Sequence, residues 1–229
     1  MEGRPARWIA WGVAPPVSLV VMSLAIGAPP AEAGCGGVKK VGPRAKQRLP
    51  GRPPLVIGDS VLLGAVDEAA RAGYEVDVRG CRQMGEGLRV LRARRRAGRL
   101  PRFAVIALGT NLSISQAQVR QALRIIGPRR ILGLVTPRET GGRSGSDARV
   151  VRAAGRRHPR RTVVLDWVAY SAGHAGWFAA DGIHLGPGGA AGFARLLRRA
   201  LRAAAPVRSR LRPSRAQRRL GLLRPLRGR

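Results

Sequence analysis

"VIGDSVLLGA", Val56–Ala65, is the stretch from which the rest of the chain can be read. An apolar run, Leu55-Val56-Ile57, ends in Gly58-Asp59-Ser60, and a helix-like pattern begins at once. A strand, a glycine that lets the backbone turn, and a helix in direct succession open a βα unit. The small hydroxyl at that junction has two readings. Ser60 caps the helix, or it is a nucleophile held at the mouth of a strand. What other segments bring to the same place has to decide.

The same alternation runs outward. Short apolar runs recur at Glu75–Arg79, Phe103–Leu108, Arg130–Val135 and Thr162–Leu165. Helix-like stretches lie between them: Ser60–Ala72, Gln83–Ala97, Ser115–Ile126 and Asp147–Arg157, with a last one near Gly188–Ala204. Strands alternating with helices predict an α/β fold, a flavodoxin-like three-layer α/β/α sandwich on a parallel sheet of about five strands. Sites in such sheets lie beyond the carboxyl ends of the strands.

Those ends carry chemistry. After Gly58-Asp59-Ser60 come Arg79-Gly80-Cys81, Gly109-Thr110-Asn111 and, ahead of the last helix, Asp181-Gly182-Ile183-His184. A neutral serine is a poor nucleophile and needs an adjacent base, which His184 can be. Asp181 can reach the other ring nitrogen and fix the tautomer. The N–H groups of Ser60 and Gly80 and the Asn111 amide can donate to an oxyanion. Each piece alone has a bland reading: a cap, a turn glycine, a loop carboxamide, a capping pair. Their order at the strand ends favours the joint reading. Activity is then expected to rise with pH as the histidine loses its proton. No metal or cofactor is expected, because no Cys, His and carboxylate cluster has ligand spacing.

These four blocks resemble the SGNH, or GDSL-type, hydrolases, over about residues 54–205. The resemblance implies Ser60, Asp181 and His184 as a catalytic triad, and Ser60, Gly80 and Asn111 as oxyanion donors. Val135-Thr136-Pro137-Arg138 and Asp166-Trp167 further resemble the extracytoplasmic SGNH domains of bacterial envelope O-acetyltransferases. An acylated carbohydrate or other ester is the implied substrate. Arg138 and Trp177 are candidate substrate contacts, with a structural arginine and a core tryptophan as the alternatives. Asp166 is a possible rival to Asp181 and by default a cap. His174 is a possible rim residue, and His158 falls at the wrong end of the sheet.

The flanks concern location. Residues 1–33 read as a signal peptide or an N-terminal anchor: Arg4 and Arg7, an uncharged run from Trp8 to Ala31, then Ala31-Glu32-Ala33. Lipidation at Cys35 is a further possibility. Residues 34–53 read as an exposed lead-in, and 206–229 as a basic disordered tail. In an exported chain Cys35 and Cys81 are expected to pair, the alternative being two free thiols. Net charge is +31, and all but three of the 43 basic residues are arginine. That allows electrostatic association with anionic envelope polymers, and hence a rival reading as an inactive polymer-binding module. Scattered arginines and only 4% aromatic residues oppose a nucleic-acid partner.

Overall fold

The structure is a computed structural model that describes residues 35–45, 51–139 and 145–210, with side chains as far as residue 205. The leader or anchor expected over 1–33 and most of the tail expected over 206–229 lie outside the described residues.

Parallel strands covered on both faces are apolar runs, as Leu55–Gly58, Phe103–Ala107 and Ile131–Val135 are, whereas Glu75-Val76-Asp77-Val78 alternates. Strands β2 (Leu55–Gly58), β3 (Glu75–Val78), β4 (Phe103–Ala107), β5 (Ile131–Val135) and β6 (Thr162–Leu165) pair in parallel in the order β3-β2-β4-β5-β6. That is the flavodoxin-like order, and the strand order reverses at the β2/β4 crevice. Successive side chains of β2 face opposite layers. Leu55 and Ile57 pack with α3 (Met84–Arg96), α4 (Gln116–Ile126) and α5 (Ser146–Arg157), whereas Val56 packs with α2 (Val66–Arg71) and α7 (Pro187–Arg210). All three side chains are fully buried, a contribution of about 1.5–3 kcal/mol each.

Helix starts follow local chemistry. Ser115 Oγ accepts the Gln118 N–H at 3.2 Å, and the Gln118 side chain accepts the Ser115 N–H at 2.9 Å. This reciprocal capping box fixes the start of α4.

Three expectations change. The helix read over Ser60–Ala72 is two, α1 (Ser60–Leu63) and α2. The break falls at Gly64-Ala65, because a Cβ at Gly64 would lie 3.1 Å from the Leu185 carbonyl oxygen. The interruption thus admits the segment just after His184. The lead-in contains a sixth strand, β1 (Lys39–Val41), antiparallel to β3. Its lysines are exposed, as suits a sheet edge that should not pair further. The last helix continues to Arg210, beyond the expected domain end at 205. Cys35 and Cys81 form a disulfide that ties β1 to the segment after β3. Closing a loop of 46 residues is worth about 4 kcal/mol in the chain-entropy model.

Candidate active site

The capping role falls to the residue before the serine. Asp59 is the N-cap of α1, its Oδ1 accepting the Val61 N–H at 3.1 Å. Ser60 is the first helical residue, and its hydroxyl turns instead to His184, with Oγ 2.9 Å from Nε2. His184 Nδ1 lies 2.5 Å from Asp181 Oδ2. With a carboxylate on Nδ1, that nitrogen carries the proton, and Nε2 is left to accept from the serine.

The base sits on a short loop built by its own backbone. Asp181 Oδ1 accepts the N–H groups of Ile183 at 2.8 Å and His184 at 3.0 Å. Gly182 turns the chain with φ +68°, a left-handed conformation that suits glycine. The loop closes where Phe178 bridges Leu185 and the Ala179 N–H donates to the His184 carbonyl at 2.8 Å. Burial alone would raise the Asp181 carboxyl. The bonds from the His184 ring and the two backbone N–H groups outweigh it and hold the group below its ordinary value. It is therefore ionised and able to stabilise an imidazolium.

Asp59 goes the other way. It is 1% exposed, and burial pushes its carboxyl from 3.8 up to about 6, against the pull of nearby backbone N–H groups and His184.

The three expected oxyanion donors lie at the ends of β2, β3 and β4. Ser60 and Gly80 are buried, and Asn111 is exposed. Among the described residues, neither those two N–H groups nor the Asn111 amide has a hydrogen-bond partner. The Gly80 segment is firmly braced. The Arg79 N–H donates to the Gly58 carbonyl at 3.3 Å. Arg82 Nη2 meets Asp77 Oδ1 at 2.8 Å, and Nη1 donates to the Asp77 carbonyl at 2.6 Å. Both side chains of this ion pair are 3% exposed. Sequence reasoning missed the pair. Its signal was there in the alternation Glu75-Val76-Asp77-Val78, which places two carboxylates on one face toward the arginines that follow.

Other candidates divide. Asp166 does not touch His184 among the described contacts. It caps α6 (Trp167–Tyr170) and binds Arg152 through both oxygens, at 2.8 and 2.9 Å. Trp177 lies in a 3-10 turn, Ala175–Trp177, between Trp167 (ring centroids 5.8 Å apart, stacked) and His174 (3.9 Å). Its six-membered ring edge fits against Gly192 of α7, where a Cβ would come within 2.6 Å. Trp177 is half-buried in this packing, and the exposed ring beside it is His174. His158 ends α5, at the opposite end of the sheet from the serine. Arg138 turns inward, and its Nε donates to the Gly182 carbonyl at 2.8 Å.

A doubly wound sheet in this order, with serine after the first parallel strand and an Asp–His pair ahead of the last helix, is the SGNH hydrolase fold. The C-terminal catalytic domain of Streptococcus pneumoniae peptidoglycan O-acetyltransferase A superposes with a TM-score of 0.57 at 21% identity, covering 67% of this chain and 94% of that one. A GDSL-like lipase from Bacteroides thetaiotaomicron gives 0.50 at 17% identity, covering 66% and 88%. Among curated proteins, the O-acetyltransferase OatA of Staphylococcus aureus is 29% identical over 146 residues, 62% of this chain. The match spans 24% of that relative's length. No family model matches the chain.

Proposed function

We propose that this chain is an SGNH-type serine ester hydrolase or O-acyltransferase, acting through an acyl-Ser60 intermediate on O-acyl, principally O-acetyl, esters of cell-envelope carbohydrate. The observation that carries the reading is the continuous chain of bonds from Ser60 Oγ through the His184 ring to Asp181. Ser60 Oγ attacks the ester carbonyl and gives its proton to His184 Nε2. The tetrahedral oxyanion is held by the Ser60 and Gly80 N–H groups and the Asn111 amide. Its collapse breaks the bond to the alcohol, which leaves with the proton from His184. Water or a sugar hydroxyl then resolves the acyl-serine by the reverse path. The carbohydrate substrate is suggested by the relatives, whose names specify O-acetyl transfer and, in one case, peptidoglycan. Export is supported by the leader-like sequence and by a disulfide that suits an oxidising compartment.

A second reading, a polymer-binding module, is favoured by one observation. A groove of about 350 Å³ between α3 and α4 is lined by Arg92, Arg95, Arg96 and Arg124.

The test is reaction with a small aryl acetate, followed by mass spectrometry. A transient acetyl group on Ser60 is expected, absent in Ser60→Ala and strongly reduced in His184→Ala. Comparing water with wall oligosaccharides as acceptor then separates hydrolase from transferase. An acetyl adduct that persists in Ser60→Ala would exclude Ser60 as the nucleophile.

A further inference from the structure

Arg138 follows β5 and reaches into the loop that carries the base. Besides Gly182, its Nη1 donates to Ser171 Oγ at 3.0 Å, and its guanidinium carbon sits 4.1 Å from the Phe178 ring centroid. All three partners are neutral. The carboxylates of the surrounding segments are engaged elsewhere. Asp181 is bonded to His184 and Asp166 to Arg152. Asp147 accepts the Ile114 N–H, and Glu139 accepts the Asp147 N–H. Arg138 is thus a half-buried cation with no anionic partner among the described residues. Burial depresses its pKa from the ordinary value, but a guanidinium stays charged.

The same side chain lines a surface hollow of about 360 Å³, together with Val168, Ser171, His174 and Phe178. This is within the size range of small-molecule sites. Two of its lining residues lead to the loop of the base: Arg138 through the Gly182 carbonyl, and Phe178 through its bridge to Leu185, next to His184. Its lining is mostly apolar or neutral, with His174 at the rim and one fixed positive charge. A site of that composition discriminates by charge, and the planar fork of an arginine matches a carboxylate.

We infer that this hollow is a subsite for a carboxylate borne by the alcohol part of the ester substrate, with Arg138 as its counter-ion. The inference rests on the proposed ester chemistry and names the class of ester: an acidic sugar rather than a neutral one. The bond from Nε to the Gly182 carbonyl holds the guanidinium in place before substrate arrives. The ordering cost of a free arginine side chain is then largely met beforehand. A carboxylate anchored there orients the ester relative to Ser60.

The test measures binding without turnover. The full chain carrying Ser60→Ala is titrated calorimetrically with N-acetylmuramic acid, whose lactyl ether bears a carboxylate, and with its methyl ester. The acid is expected to bind about tenfold more tightly or better. The preference should shrink with added salt and disappear when Arg138→Gln is added. Glutamine keeps a donor for Gly182, and Arg138→Lys, which keeps the charge, should retain part of the preference. Equal affinities, a preference that survives Arg138→Gln, or no binding of either sugar would overturn the inference. Since Ser60 is absent from this measurement, failure of Ser60 to acylate is a separate result from failure of the subsite.

Discussion

Two loops of the candidate site are built on opposite plans. The segment after β3, Gly80-Cys81-Arg82, is held by a buried ion pair, a disulfide and a backbone bond to β2. The segment Asp181–His184 is much more open, with side chains 44% and 36% exposed at its two ends. It is held by bonds among its own neighbours, by the Phe178–Leu185 bridge and by Arg138. A donor to an oxyanion must not move while charge develops, which suits the braced segment. A base must exchange protons and meet substrate, which suits the exposed one. The braced loop should therefore govern stability and the open loop rate.

The largest effect is expected where that division is sharpest. Asp181→Asn keeps an oxygen for the Ile183 and His184 N–H groups but removes the negative charge beside Nδ1. Turnover of an aryl acetate should fall on the order of 10⁴-fold, the size seen when a triad carboxylate becomes an amide, while the melting temperature barely changes. A large loss of stability would show that the open loop is structural after all.

Next is the braced loop. Arg82→Ala leaves the buried Asp77 with only the longer contact to Arg94, at 3.6 Å, and denaturant unfolding should show a loss of about 3 kcal/mol. An Arg82→Ala protein as stable as its parent would remove the contrast between the loops.

The smallest effect sharpens the comparison from between the loops, at Asp59. Its folded pKa of about 6 lies above the ~3.9 of an unfolded aspartate. The native state holds that proton more tightly, so stability is fullest below the unfolded value and declines as pH rises through about 6. Asp59→Asn keeps the cap and cannot ionise. It should raise stability by about 1–3 kcal/mol at pH 7.5 and change little at pH 4.5, read from thermal unfolding at the two values.

How much of this was legible in the sequence differs by kind. The five parallel strands and the residues at their ends could be read, from apolar runs or, in Glu75–Val78, from strict alternation, each ending in a turn. The edge strand Lys39–Val41 could not, since an exposed three-residue strand next to lysines carries no periodic signal. The Asp181–His184 relation was visible because it is local. The roles of Asp59, Asp77 and Arg82, and the bond that fixes Arg138, were hidden for the opposite reason. In a chain with 43 basic residues, no pattern tells a buried, committed arginine from a solvated one. Only the fold brings Arg138 to the Gly182 carbonyl, 44 residues away. For Trp177 the sequence left a sugar wall and core packing both open, and the half-buried ring packs beside Trp167 and His174.

The bond between Cys35 and Cys81 has a consequence for when the protein matures. Cys81 follows the Gly80 amide directly and holds a left-handed backbone, φ 54°, uncommon for a residue with a side chain. Its partner Cys35 lies just ahead of β1, which pairs with β3 at the sheet edge. If Gly80 donates to an oxyanion as proposed, a reduced chain keeps Ser60, Asp181 and His184 and loses the clasp beside that donor. Under the proposed mechanism, forming the Cys35–Cys81 bond would act as a licensing step, making activity depend on an oxidising environment.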